Sequence, residues 1–188
     1  MKDSTLNIKT LTVGPIQACC YIISGRGANQ AFLIDPGGDG AVIADYLQAQ
    51  GLEPVYLVNT HGHIDHIGAN QEIKQAYPDI RICVHTDDAR MLTNAGSNLS
   101  PELGYKFTSP QADKLLQEDD LLTIAVPAPP RGRQGENELT LKVIHLPGHT
   151  RGGIGLLYTP PHKSEPMVMF TGDTLFAGGI GRTDFPGG

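Results

Sequence analysis

The chain of 188 residues carries 14 basic against 20 acidic side chains, a net charge of −6, so it lacks the basic face that a phosphate-backbone binder needs, and no nucleic-acid partner is expected. With 39% apolar and 18% charged residues it has the make-up of a soluble globular domain, long enough for one good core. No apolar run approaches the ~20 residues of a membrane span. The opening MKDSTLNIKT lacks the apolar core of a signal peptide, and three cysteines (Cys19, Cys20, Cys83) without framework spacing read as reduced thiols. Together these predict a cytoplasmic protein with no membrane partner.

In chain order, Leu6–Val13, Cys19–Ser24 and Ala31–Ile34 read as strands joined by glycine turns, and Asp35-Pro36-Gly37-Gly38 stops the third. Asp39 is placed to cap a helix over Gly40–Gln50, with Val42, Ile43, Tyr46 and Leu47 as its inner stripe and Gly51 at its C-cap. Val55–Val58 is a short buried strand. A helix is predicted from about His66 to Tyr77, ended by Pro78. Ile80–Val84 reads as a strand, and Thr86 as the cap of a helix over Asp87–Thr93. A short helix is expected near Asp113–Leu116 and a strand at Leu121–Val126. PAPPRGRQGEN then reads as an exposed loop whose Arg131 and Arg133 are solvated charge. Further strands are expected at Leu139–His145, Ile154–Tyr158 and Met167–Phe170. Two groups of strands, with helices mainly following the first, predict a layered α/β or α+β domain. The pattern does not separate a doubly wound sheet from two packed sheets.

Between Val58 and the next helix stands NTHGHIDHIGAN, with His61, His63, Asp65 and His66 inside six positions. Such density after an apolar strand is the signature of a metal site, because imidazole and carboxylate are ordinary ligands of zinc, and imidazole also suits iron. His61 and His63 can reach one ion, while Asp65 and His66 can reach a second beside it. His149, in HLPGHTRGG, would complete a three-histidine set, and Asp173, in FTGDTLF, could bridge two ions; both sit on glycine turns just past a strand. The remaining histidines carry less. His145 is expected to be structural or to support a ligand, His85 structural and His162 solvated, while turn chemistry alone accounts for Asp35 unless it supports a ligand.

THGHIDH, PGHT and GDTLF, in this order and spacing, resemble the metallo-β-lactamase superfamily, and IDPGG matches as well. GDTLFAGGIGRTDFPGG is similar to its glyoxalase II-like branch of hydroxyacylglutathione hydrolases, especially the short single-domain kind. The resemblance covers nearly the whole chain, 1–188 as one domain. It implies an αββα sandwich, with His61, His63 and His149 on a first metal, Asp65 and His66 on a second, and Asp173 bridging. Zinc is the expected metal, as one or two ions, with iron or manganese as alternatives. A metal-activated hydroxide would attack the carbonyl of a small thioester such as S-lactoylglutathione, with Asp65 orienting that hydroxide or taking its proton. Arg182, after a glycine turn, is a candidate substrate contact, set against a salt bridge that pins its loop.

Relative to that family the chain is C-terminally short. The family's last helix, strand and final histidine ligand have no counterpart here, nor does the helical domain through which full-length glyoxalase II enzymes bind glutathione. Three explanations follow: a truncated form, a homodimer in which a neighbouring chain supplies the missing element, or a weak second site. Two other functions compete with the thioester hydrolase. One is a persulfide dioxygenase with a single iron on His61, His149 and Asp173; the other is a catalytically impaired fragment that only binds metal. A β-lactamase is disfavoured by the lack of a signal peptide and by the GRTDF stretch, and a nuclease by the chain's acidity.

Overall fold

The computed structural model describes residues 6–127 and 138–185. Two sheets pack face to face, which settles the alternative left open by the hydrophobic pattern. The first has six strands in the order β1 (Leu6–Val13), β2 (Ala18–Gly25), β3 (Gln30–Ile34), β4 (Glu53–Val58), β5 (Arg81–His85) and β6 (Lys114–Leu116). Its opening meander is antiparallel, and β3 through β6 run parallel. The second is an antiparallel sheet in the order β10 (Val168–Phe170), β9 (Ile154–Tyr158), β8 (Glu138–His145) and β7 (Leu121–Ala125). A small hairpin, β11 (Leu175–Phe176) and β12 (Gly179–Ile180), follows.

Strand alternation builds the core in two layers. Phe32, Ile34, Tyr56, Val58 and Leu116 face inward from the first sheet and meet Leu122, Ile124, Leu139, Leu141, Val143 and Leu156 of the second. The other face of the first sheet, with Ile22, Leu33, Leu57, Ile82 and Val84, is covered by helices. These are α1 (Gly40–Gln50), α2 (Ile64–Ile67), α3 (Asn70–Ala76) and α4 (Ala89–Thr93). Being buried on both faces, β3 and β4 read as continuous apolar runs, as central parallel strands do. On the second sheet's outer face, strand register aligns Leu121, Lys142, Leu157 and Met169 in one row. Among the described residues all four α-helices bury their side chains on the first sheet instead.

Several local expectations need correction. Asp39 stands at the N-cap of α1, as expected, but its side chain makes no capping bond: it sits at φ 53° and its carboxylate accepts from the Gly14 amide (2.8 Å), tying the first turn of the chain to the helix entrance. Val42 is exposed rather than part of the inner stripe, which Ile43 and Leu47 carry; Gly51 does close the helix at φ 62°. The helix expected from His66 to Tyr77 is two short helices, α2 and α3. Thr86 is not a cap; it opens a 3-10 turn, Thr86–Asp88, capped by the His85 ring, which accepts from the Asp87 amide (3.2 Å). Lys114–Leu116 is a strand rather than a helix, because it pairs with β5 and buries Leu116 between the sheets. Arg131 and Arg133 lie outside the described residues.

Leu141 is fully buried in the layer between the sheets, so Leu141→Ala is expected to cost about 2–5 kcal/mol. Leu121→Ala, on the open face of the same sheet, should stay within about 0.5 kcal/mol. Urea denaturation midpoints of the two variants check this contrast.

Candidate metal centre

The centre forms where the chain leaves its strands. In the first sheet, Asp35 follows β3, and His61, His63, Asp65 and His66 follow β4; in the second, His149 follows β8 and Asp173 follows β10. The C-terminal ends of parallel strands are the usual place for such sites in α/β folds, and here the ends of the antiparallel sheet face them.

Close backbone packing shapes the ligand loop. The Asp35–Gly38 turn lies against α2, where a Cβ on Gly37 would come within 1.6 Å of the Asp65 carbonyl oxygen. A Cβ on Gly68 would meet the Gly37 carbonyl oxygen at 2.3 Å. The Ala69 amide donates to the Pro36 carbonyl (2.8 Å), so the turn takes up a backbone group at the break between α2 and α3. Asn59, fully buried, donates to the His66 carbonyl (2.9 Å) and exchanges side-chain hydrogen bonds with Asn70. These contacts are why the predicted long helix is divided.

His61, His63 and His149 form one group, and His61, His66 and Asp173 a second that shares His61; in each, the potential ligand atoms lie within 4.8 Å of one another. His63 Nδ1 and His149 Nε2 are 3.0 Å apart. On His61 and His149 the outward nitrogen has a partner that fixes the inward one. His149 Nδ1 donates to the Arg182 carbonyl (2.9 Å), and His61 Nδ1 meets Thr60 Oγ1 (3.3 Å), which itself donates to Asp35 (2.7 Å). Such outer partners select the tautomer that aims a lone pair at a metal. His61 Nε2 is buried with no hydrogen-bond partner. A buried ring nitrogen left so is costly unless something binds it.

Around His66 the field is different. Its Nδ1 lies 3.0 Å from Asp35 and its Nε2 3.2 Å from Asp173 and 3.6 Å from Asp65. Asp173 turns one oxygen toward His66 and the other toward His149 Nε2 (3.7 Å). Burial pushes the basicity of His61 well below its usual range and that of His63 down to about 3, with the neighbouring imidazoles adding to the effect. Both are therefore neutral, lone-pair donors at physiological pH. At His66 burial acts the same way, but Asp35, Asp173 and Asp65 outweigh it and hold the ring well above the usual value. Imidazoles from four histidines beside three carboxylates are a donor set suited to divalent cations. The residues fit a metal.

Asp35 thus does more than make a turn: it is buried and accepts from the Thr60 amide and hydroxyl (2.7 Å each). The Arg182 side chain pairs with Asp184 (2.6 Å) and lies over the Phe185 ring, while its carbonyl orients His149. Phe185, which the sequence reading did not single out, packs edgewise on both His63 and His149, with centroids 5.1 and 5.3 Å away. A cleft of about 350 Å³ opens over the cluster, with His63, Asp65, His149 and Asp173 in its floor and Ile16, Leu99, Leu103 and Phe176 in its walls. His162 is exposed. His85 and His145 stack face to face, 4.2 Å apart and 12° from parallel. Their in-plane lone pairs therefore lie in separate planes, and His145 Nε2 is already bonded to the Arg151 carbonyl (2.8 Å).

Two packed sheets with an imidazole–carboxylate cluster at their strand ends define a fold built to bind metal. Residues 13–188 match the family model of the metallo-beta-lactamase superfamily, and the chain belongs to that superfamily. It is 34% identical to the probable metallo-hydrolase YqgX of Bacillus subtilis, over 96% of this chain and 76% of that protein. It is 33% identical to the hydroxyacylglutathione hydrolase GloC of Haemophilus influenzae, over 97% and 78%. Among solved structures it is similar to BLEG-1, a B3 metallo-beta-lactamase (TM-score 0.81, 34% identity, 97% of this chain and 79% of that one). It is also similar to TTHA1623 in a di-iron-bound form (TM-score 0.71, 28% identity, 95% and 78%). The expected fold and family are thus borne out. Among the described residues no helix is long and apolar enough to cross a membrane.

Because the Gly37 turn leaves no room beside Asp65, Gly37→Ala is expected to displace α2 and weaken zinc binding by about 10- to 100-fold, the range seen when ligand support is lost. Competition with a chromophoric chelator measures it.

Proposed function

We propose that the chain is a metal-dependent thioester hydrolase of the hydroxyacylglutathione hydrolase type. The observation that carries this reading is the meeting of cluster and cleft: His63, Asp65, His149 and Asp173 line the cleft that opens over the site. Similarity to GloC, named as such a hydrolase, supports it.

In this reading His61, His63 and His149 would hold one ion, Asp65 and His66 a second, and Asp173, with an oxygen turned to each side, would bridge. When bound, the metal lowers the pKa of a water toward neutrality and polarises an acyl oxygen. Zinc is the metal proposed first, and the di-iron form of TTHA1623 makes iron the alternative to measure.

The chain's own residues do the rest. Asp65, whose side chain is 20% exposed and lines the cleft, would orient the attacking water and take its proton. Ile16, Leu99, Leu103 and Phe176 give the acyl group an apolar wall and keep bulk water from it. A thiolate departs without being protonated, so the site needs one good base and no strong acid. Arg182 stands at the rim, engaged by Asp184; to bind a substrate carboxylate it would have to exchange that partner.

His63→Ala is expected to abolish turnover of S-lactoylglutathione. Asp65→Asn should keep at least one bound metal while kcat falls by about 10²–10⁴. Stopped assays under anaerobic conditions, with metal analysis alongside, test both. Unchanged activity in His63→Ala would overturn the reading. So would wild-type protein that leaves the thioester intact yet consumes oxygen with glutathione persulfide, or opens a chromogenic β-lactam.

A further inference from the structure

The ligands come from two sheets, so something must hold the two loops at the right separation. We propose that Asp88 is the positioning residue that does this, tying the His61–His63 loop to the His149 loop through hydrogen bonds to both. The inference rests on the metal-binding reading of the cluster, not on the choice of substrate.

Asp88 ends the 3-10 turn after β5 and is 1% exposed. One carboxylate oxygen accepts from the Gly62 amide (3.1 Å) and from Thr150 Oγ1 (2.7 Å); the other accepts from the Gly152 amide (2.8 Å). Gly62 lies between His61 and His63, and Thr150 follows His149. One side chain therefore reaches within a residue of three candidate ligands on two different loops. All three donors are neutral, so the carboxylate serves as a shared acceptor and not as half of an ion pair.

A second observation points the same way. A Cβ on Gly152 would stand 2.6 Å from the Asp88 amide nitrogen and 2.8 Å from its carboxylate, and a Cβ on Gly62 would stand 2.4 Å from the Met91 Cβ in α4. Both loops approach the Asp88–α4 segment so closely that only glycine fits. The Ile154 amide also donates to the Thr60 carbonyl (2.8 Å), but that link joins the strand ends, whereas Asp88 acts beside the ligands themselves.

No neutral side chain of the same shape replaces this acceptor. In Asp88→Asn, either orientation of the amide turns its NH2 toward a backbone N–H that must donate. The loops should part and the imidazole nitrogens lose their common focus, while the apolar cores stay as they are.

The test uses the intact chain, stripped of metal and titrated with zinc against a chromophoric chelator, then with cobalt(II) for its visible spectrum. Asp88→Asn is expected to bind zinc about 10- to 100-fold more weakly, with altered cobalt bands. Thr150→Val should lose several-fold, and Thr150→Ser, which keeps the hydroxyl, should match wild type; this pair carries the test if Asp88→Asn does not fold. Asp113→Asn is the control. Its carboxylate accepts from the Ile82 amide (2.9 Å) and pairs with Lys74 away from the centre, so it should lower the metal-free melting temperature and leave zinc affinity unchanged. Zinc affinity within twofold of wild type in Asp88→Asn and Thr150→Val overturns the proposal. So does an equal loss in Asp113→Asn. Neither result bears on whether the substrate is a thioester.

Discussion

The centre depends on keeping four imidazoles buried and aimed at one small region, with His61 and His63 held neutral by that burial. Left alone, such a group is unfavourable, since a buried ring nitrogen without a partner costs about 1–3 kcal/mol. His61 Nε2 is in that position. The structure tolerates it because the opposite side of three of the rings is held: His61 through Thr60 and Asp35, His66 by Asp35 and its own carbonyl by Asn59, and His149 by the Arg182 carbonyl. The arrangement is preorganised for a cation, with the orienting contacts already made.

That preorganisation is inherited from the packing of the sheets. Val58 and Phe170, the last residues of β4 and β10, both lie in the apolar layer between the sheets, a few residues before His61 and Asp173. The spacing of the ligands across the cleft is therefore set by side chains that take no part in chemistry. The first sheet supplies the dense cluster on one loop; the second supplies single ligands from two loops.

Much of this was legible in the sequence. Strand positions followed from apolar runs, and His61, His63, Asp65, His66, His149 and Asp173 all come to the same strand ends. What was hidden depended on contacts distant in sequence. Lys114–Leu116 reads as helix until β5 offers it a partner. The break between α2 and α3 arises from the Gly37 turn pressing on Gly68, which no local pattern reveals. Asp39 has the right residue type for a cap but answers to Gly14 instead. Phe185 and the Arg182 carbonyl belong to a stretch whose motif drew attention to the guanidinium, whereas the contact with His149 is made by backbone. The outer row of Leu121, Leu157 and Met169 needs the register of four strands before it can be seen.

The Arg182 carbonyl has a further consequence. A main-chain oxygen orients His149 whatever side chain the residue bears, so long as the β11–β12 hairpin holds its path. The guanidinium touches the imidazole only through Phe185, whereas the acceptor that selects the tautomer is main chain. The side chain at this position can therefore be exchanged without removing the oxygen that fixes the tautomer of the imidazole below.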